Sequence, residues 1–229
     1  MVVGCVAAGA FRPLPCPAVI EPSDALRALA RQLRDEDTVI SPHVVEPSVA
    51  PGLGELVASG PGAVGDPGAY ALVVECVREG YLLHFGEPRV VVTDDADLRL
   101  LAGDYLYARG IERLGTLGDL GAIRELSELI SLAAQLHAAD RARGDIDALW
   151  IASTVAIAVG IAGRSPDDIY EDPSAQEAAA ELKSARRDVR QGEVDAAARL
   201  TEVAHDLAAR VGLAERLRLA VEAIDLRAV

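Results

Sequence analysis

The sequence predicts an all-α protein, a bundle of about eight helices. From Gly68 onward, apolar residues recur at the three- and four-residue spacing of amphipathic helices, and no alternating strand pattern persists. Glycine and proline divide these segments at short intervals, which is typical of a bundle with short connections. We therefore expect residues 68–229 to form a helical domain. Residues 1–67 are expected to form an irregular arm with one short helix.

The arm is predicted from its proline and glycine content. Proline is frequent in residues 1–22, and residues 41–68 are dense in proline and glycine, so both stretches read as irregular chain. Between them, Ser23-Asp24 can cap a helix that runs to about Arg34, with leucine and alanine on one face.

The helical domain shows start and stop signals at regular intervals. Thr93 is a candidate N-cap, and Ser165-Pro166 opens another helix with a cap and a proline at its first position. Gly192 and Gly212 fit helix C-caps. The predicted helices cover about 69–84, 93–114, 119–139, 146–162, 166–190, 193–211 and 213–227. The second of these has so broad an apolar face that we expect it to be the central helix.

Net charge limits the classes of partner. The chain has 22 basic and 36 acidic residues, a net charge of −14. Binding to nucleic acid or to an anionic membrane surface depends on basic residues that neutralise phosphate, so both are disfavoured. A diphosphate substrate stays compatible, because a local magnesium or arginine site can operate inside an acidic protein.

The cysteines and the apolar segments predict a cytoplasmic protein with no membrane span. Cys5, Cys16 and Cys76 have neither the number nor the spacing of a disulfide framework or a zinc site, so we expect reduced thiols. The N-terminus has no positive region typical of a signal peptide. The longest apolar run, residues 148–163, is about one turn short of a membrane span and is expected to form a buried helix.

Three segments resemble trans-polyprenyl diphosphate synthases. Residues 101–109, Leu-Ala-Gly-Asp-Tyr-Leu-Tyr-Ala-Arg, resemble the "LAGDYLLAR" helix of that family. Residues 75–84 resemble the helix that carries its first aspartate-rich motif, E-x-x-H-x-x-x-L-x-H-D-D-x-x-D. Residues 150–163 resemble its lysine-threonine helix, with Thr154 at the threonine and Ser153 at the lysine. The resemblance covers about residues 69–163 and implies an isoprenoid-synthase-like fold, truncated.

The same comparison shows where the chemistry of that family is missing. Its members hold magnesium on an allylic diphosphate with two aspartate-rich motifs, and hard Mg²⁺ requires such clustered oxygen ligands. Phe85 and Gly86 stand where the two leading aspartates are expected, and Ser153 replaces the lysine. Nothing in residues 175–229 supplies the second motif. The resemblance therefore implies a non-catalytic subunit, similar to the small subunit of heterodimeric prenyl synthases, without a cofactor.

Such a subunit would pair with a catalytic prenyl diphosphate synthase, or with itself, and influence product chain length. One alternative is an active, Mg²⁺-dependent prenyltransferase with relocated acidic groups. Another is a homodimer that holds an apolar ligand between its helices. The relocated metal ligands would be Asp94, Asp95 and Asp97, or Asp167, Asp168 and Asp172, although helix capping and a solvated helix terminus are the favoured interpretations of these two clusters.

Five side chains on the resembling helices are candidates for lining a substrate pocket. His84 is a lone histidine on an apolar helix, where a hydrogen-bonded core role is the more common one. Asp104 is expected among apolar neighbours, bonded to a partner helix. His43, His137 and His205 have no partner at metal-ligand spacing. The five candidates are Tyr81, His84, Asp104, Tyr105 and Thr154.

Overall fold

A computed structural model describes residues 19–141, 143–162 and 173–225. Those residues form nine α-helices and three short 3₁₀ segments, so the all-α prediction is confirmed. The one β feature described is an isolated antiparallel bridge between Val44 and Val91. The helices are α1 (Ala25–Asp35), α2 (Gly52–Ala58), α3 (Pro67–Phe85), α4 (Ala96–Leu117), α5 (Leu120–Ala138), α6 (Arg143–Val159), α7 (Pro173–Gln191), α8 (Ala196–Arg210) and α9 (Ala214–Asp225).

The central helix is α3, and not α4 as the sequence suggested. Asp66 caps α3 by accepting a hydrogen bond from the Ala69 N–H, and Pro67 occupies its first turn. Almost every residue of α3 is buried, and α1, α2 and α4 all pack against it. α4 has one side open to solvent, where Leu100 and Leu101 are 53% and 54% exposed.

Two glycines let α3 and α4 approach closely. A Cβ atom added at Gly103 would lie 2.3 Å from Nε2 of His84, and one added at Gly110 would lie 2.5 Å from Cγ2 of Val77. Both distances are far below van der Waals contact. The glycine of the Gly-Asp-Tyr-Leu segment therefore lies directly against the His84 ring, which would have to shift to admit a methyl group.

The start of α4 differs from the prediction. Asp95 is the N-cap, and its carboxylate accepts hydrogen bonds from the backbone N–H groups of Asp97 and Leu98. Thr93, the predicted cap, accepts instead from the Asp95 N–H. The cap shifts by two residues because a carboxylate also interacts favourably with the positive end of the helix dipole.

The segment 41–68, predicted to be a loop, contains the short helix α2. It packs against α3, α6 and α9, and Leu53, Leu56 and Val57 are buried there. The Gly54 N–H in its first turn donates to Oε1 of Glu75 at 2.7 Å. Tertiary contacts thus stabilise a helix that is too short and too rich in glycine for local propensity to reveal.

The second half of the bundle surrounds α6, whose apolar residues are buried against α2, α5 and α8. Gly192 and Gly212 end α7 and α8 in the left-handed region, each with φ +77°, as predicted for C-caps. Ser165 and Pro166, the predicted start of α7, lie outside the described residues. None of the helices described is long and apolar enough to cross a membrane.

Candidate functional site

Tyr81 is a core residue within a group of aromatic side chains. Its hydroxyl lies 3.1 Å from Nε2 of His137, at hydrogen-bond distance. Its ring meets the Trp150 ring edge-on at a centroid distance of 5.3 Å and lies 5.6 Å from the Phe85 ring. These contacts fill the space between α3, α5 and α6 with side chains, so Tyr81 stabilises the interior.

His84 and Asp104 lie together on the outer side of the α3–α4 contact. The His84 ring stacks on Tyr107 at 5.4 Å, and its Nε2 lies 3.3 Å from Oδ1 of Asp104. The Asp104 side chain is 77% exposed, so the expectation of apolar neighbours was wrong. Asp104 thus contacts α3 through His84 at the edge of the helix pair, and the rest of its carboxylate is open to solvent.

Tyr105 belongs to a different part of the core, where α4 meets α1. Its hydroxyl donates to Oε2 of Glu36 and accepts from Arg109, whose guanidinium lies 2.6 Å from Oε1 of Glu36. Burial and this hydrogen bond to Glu36 raise the pKa of Tyr105. The hydroxyl is therefore held as a neutral link between two helices.

Thr154 is fully buried, and its hydroxyl is used within its own helix. Oγ1 lies 2.8 Å from the Trp150 carbonyl oxygen and 3.0 Å from that of Ile151, so it donates back to the preceding turn. The structure therefore distributes the five candidates over several contacts: His84 meets Asp104 between α3 and α4. Tyr81 and His84 are neighbours on α3, whereas Tyr105 and Thr154 serve separate packing contacts.

The acidic candidates near α4 act at the helix start. Asp95 is the N-cap, Asp97 lies in the first turn, and Asp94 precedes the cap on the exposed surface. Within the ranges described, no three His, Cys, Asp or Glu side chains group as metal ligands. The second acidic cluster, Asp167, Asp168 and Asp172, lies outside those ranges.

The acidic residues of α3 form a buried charge cluster with two arginines. Oε1 of Glu79 accepts the backbone N–H groups of residues 89, 90 and 91, and its Oε2 accepts Arg89 Nε at 3.0 Å. Glu75 receives Arg89 Nη1 at 2.6 Å and the α2 backbone on its other oxygen. The buried charge cluster comprises Glu75, Arg78, Glu79 and Arg89, and its formal charge is zero.

Arg78 is the fourth residue of this cluster, and its guanidinium lies against two aromatic rings. Its guanidinium carbon lies 4.8 Å from the Tyr81 ring centroid and 4.7 Å from that of Trp150, within cation–π distance. Burial lowers the pKa of Arg78 to about 10, so the side chain stays cationic at neutral pH. The cluster ties α2, α3 and the segment 89–91 together, and it leaves no carboxylate oxygen of Glu75 or Glu79 without a partner.

A separate site, a cleft at the protein surface, lies between α5 and α7. Among the described residues, five cationic and two anionic side chains border this cleft of about 280 Å³. At its floor, Arg186 binds the Glu125 carboxylate with both terminal nitrogens and Ser153 Oγ at 3.1 Å. We call this the basic cleft; its charged side chains are Arg124, Glu125, Glu128, Lys183, Arg186, Arg187 and Arg190.

The sequence interpretation missed the basic cleft because it looked for basic runs. The α7 cations are spaced at positions i, i+3, i+4 and i+7, from Lys183 to Arg190, which places them on one helix face. That spacing is readable without a structure. The contribution of α5 is not, because Glu125 and Arg186 are 61 residues apart.

The cysteine in the described region is not activated as a nucleophile. Cys76 is a buried free thiol whose Sγ lies 3.3 Å from the Leu106 carbonyl oxygen. Burial raises the pKa of Cys76 to about 12. The thiol is therefore protonated at neutral pH and is a packing residue.

Comparison with known proteins found no match to a family model, a curated protein or a solved structure.

Proposed function

We propose that this protein is a non-catalytic helical subunit that acts by pairing with a catalytic polyprenyl diphosphate synthase and influences product chain length in isoprenoid biosynthesis. The resemblance of residues 69–163 supports the class of partner. The use of the polar side chains on those helices supports a non-catalytic role.

The proposal depends on one observation: polar side chains of the resembling helices are already packed or bonded within the protein. In the related family, prenyl chains lie between the helices, and here the matching space holds the Tyr81–Trp150 contact and the Thr154 hydroxyl bonded to its own helix. Glu75, at a family position on α3, is neutralised by Arg89. These side chains are packed or bonded within the protein, which supports a role without a substrate at this place.

The partner surface is proposed on α4. Leu100 and Leu101 are exposed, and they lie one turn before Asp104 on the helix that carries the resemblance. Two adjacent leucines with about half of their area exposed suit an apolar contact with another helix.

Two measurements test the proposal. The purified chain, supplied with Mg²⁺, isopentenyl diphosphate and geranyl or farnesyl diphosphate, is expected to give no elongated product. Turnover would establish the alternative of an active prenyltransferase. Mass measured by light scattering separates a monomer from a homodimer, and native mass spectrometry shows whether an apolar ligand accompanies the homodimer.

The second measurement is co-expression with a full-length synthase that carries both aspartate-rich motifs. We expect a stable heterodimer whose product chain lengths differ from those of the synthase alone. L100D/L101D is expected to dissociate it, whereas L120D/L219D, which changes two other exposed leucines, leaves it intact. No complex with the synthase, or equal loss in both variants, would contradict the proposed partner and surface.

A further inference from the structure

We propose that the basic cleft between α5 and α7 binds a small phosphorylated ligand. This inference concerns a different face from the proposed partner surface, and it does not depend on the proposed pairing. It rests on the spacing of the cations, on how they are paired and on the shape of the cleft.

The cations of α7 form one stripe that repels itself. Lys183 and Arg187 are an i, i+4 pair, and so are Arg186 and Arg190. Like charges at this spacing destabilise a helix by about 0.2–0.5 kcal/mol per pair. Four cations on one helix face are a local concentration of positive charge in a protein whose net charge is −14.

The carboxylates of α5 offset only part of this charge. Glu125 is taken by Arg186, and Glu128 lies 3.5 Å from Arg190 in a half-exposed pair. Lys183 and Arg187 make no ion pair with any residue that the structure describes. Among the described residues that border the cleft, five side chains are cationic and two are anionic.

The floor of the cleft is held in place before any ligand arrives. The Arg186 side chain is only 12% exposed and is fixed by Glu125 and Ser153. Arg186 therefore forms a fixed wall of the cleft, and the groups left to bind a ligand are the exposed cations Lys183 and Arg187.

The cleft suits a phosphate group, which carries about two negative charges where a carboxylate carries one. Guanidinium groups match the oxygen geometry of phosphate, and a lysine adds a mobile point charge. A volume of about 280 Å³ suits a small molecule rather than a polymer. The net charge of −14 opposes the approach of a nucleic acid, whose phosphates extend beyond the cleft.

The chain offers a direct probe, because Lys183 is its single lysine. An amine-acetylating reagent therefore reports on two groups, Lys183 and the terminal α-amino group, which mass spectrometry separates. Inorganic tripolyphosphate is expected to slow acetylation of Lys183 about tenfold, while the α-amino group reacts at an unchanged rate. Sodium sulfate at equal ionic strength provides the control for screening.

Two variants with a matched control localise the effect. R187Q/R190Q removes two cations of the cleft and keeps Lys183, and it is expected to raise the tripolyphosphate concentration needed for protection about tenfold. R31Q/R210Q removes two exposed cations elsewhere and is expected to change that concentration by less than about twofold. Circular dichroism checks that both variants stay folded.

Three outcomes would overturn the inference. Tripolyphosphate could leave Lys183 acetylation unchanged, or the two variants could lose protection equally, which would reveal a general effect of net charge. Single-stranded RNA at the same phosphate concentration could protect Lys183 as well as tripolyphosphate does, which would make the face a nucleic-acid surface. Protection by tripolyphosphate and not by RNA, lost selectively in R187Q/R190Q, supports the proposal.

Discussion

In the buried charge cluster of α3, both oxygens of Glu75 and both oxygens of Glu79 accept hydrogen bonds, whereas in the basic cleft Lys183 and Arg187 have no ion-pair partner among the described residues. The first group of charges sums to zero inside the protein. In the second group, the described side chains are five cations and two carboxylates at the surface.

This difference separates the two kinds of role that charged residues play. Removal of one partner from a buried, hydrogen-bonded ion pair leaves the other charge buried and uncompensated, at a cost of several kcal/mol. A surface cation without a partner costs the fold little and can bind a ligand. We therefore assign the cluster to structure and the cleft to binding.

The largest expected effect comes from Arg89. R89Q leaves the Glu75 and Glu79 carboxylates buried without their cation, and we expect the free energy of unfolding to fall by about 3–5 kcal/mol. Urea unfolding followed by circular dichroism measures this loss.

The control for Arg89 is Arg34, which pairs with Glu46 at 3.1 Å on the surface. R34Q is expected to cost less than about 1 kcal/mol, because water screens an exposed pair. If R89Q and R34Q proved equally mild, the cluster would not be the structural element that its hydrogen bonds indicate.

Within the basic cleft, two adjacent residues of α7 are expected to differ in role: Arg186 is structural, and Arg187 is not. R186Q leaves the Glu125 carboxylate without its bidentate partner, and Glu125 is buried, so we expect a loss of about 2–3 kcal/mol in stability. R187Q changes the same type of residue one position later and is expected to be nearly neutral. A comparable loss in both variants would show that Arg187 also has a structural partner.

Close packing of α3 against α4 gives a third, smaller effect. G103A places a methyl group 2.3 Å from His84 Nε2 and is expected to cost about 1–3 kcal/mol through overpacking. G115A, on the same helix with nothing within 4 Å, is expected to stabilise by up to about 1 kcal/mol through helix propensity. Thermal unfolding of both variants tests whether the motif glycine is a packing residue.

The sequence predicted most of the helices because their signals are local. The Asp119 cap and the left-handed Gly118 mark the boundary between α4 and α5, and both can be read from the chain. The short helix α2 could not be predicted, since it is stabilised by Glu75, 21 residues away from Gly54. The central position of α3 was missed for a related reason. Charged residues such as Glu75 and Glu79 usually mark an exposed helix face, but here they are buried and paired with Arg89.

The candidate site was harder to predict than the fold. Tyr81, Tyr105 and Thr154 have hydroxyl groups, which suggested a pocket, but only tertiary structure shows that each is already bonded within the protein. Asp104 is exposed because α4 is covered on one side. The spacing of the cations in α7 was readable, whereas the cleft itself forms only when α5 lies beside that helix.

The smallest expected effect is a difference in stability between two double variants, and it tests whether Lys183 and Arg187 bind a ligand. Without ligand, K183Q/R187Q removes an i, i+4 repulsion and is expected to be more stable than R31Q/R210Q by about 0.2–0.5 kcal/mol at low salt. The comparison uses two double variants because both change the net charge by the same amount. A ligand that binds only the folded state stabilises it by about 2.7 kcal/mol at 100 times its Kd, so tripolyphosphate must stabilise R31Q/R210Q more than K183Q/R187Q and reverse the order of their melting temperatures. An order that stays the same with and without tripolyphosphate would place Lys183 and Arg187 among ordinary surface cations.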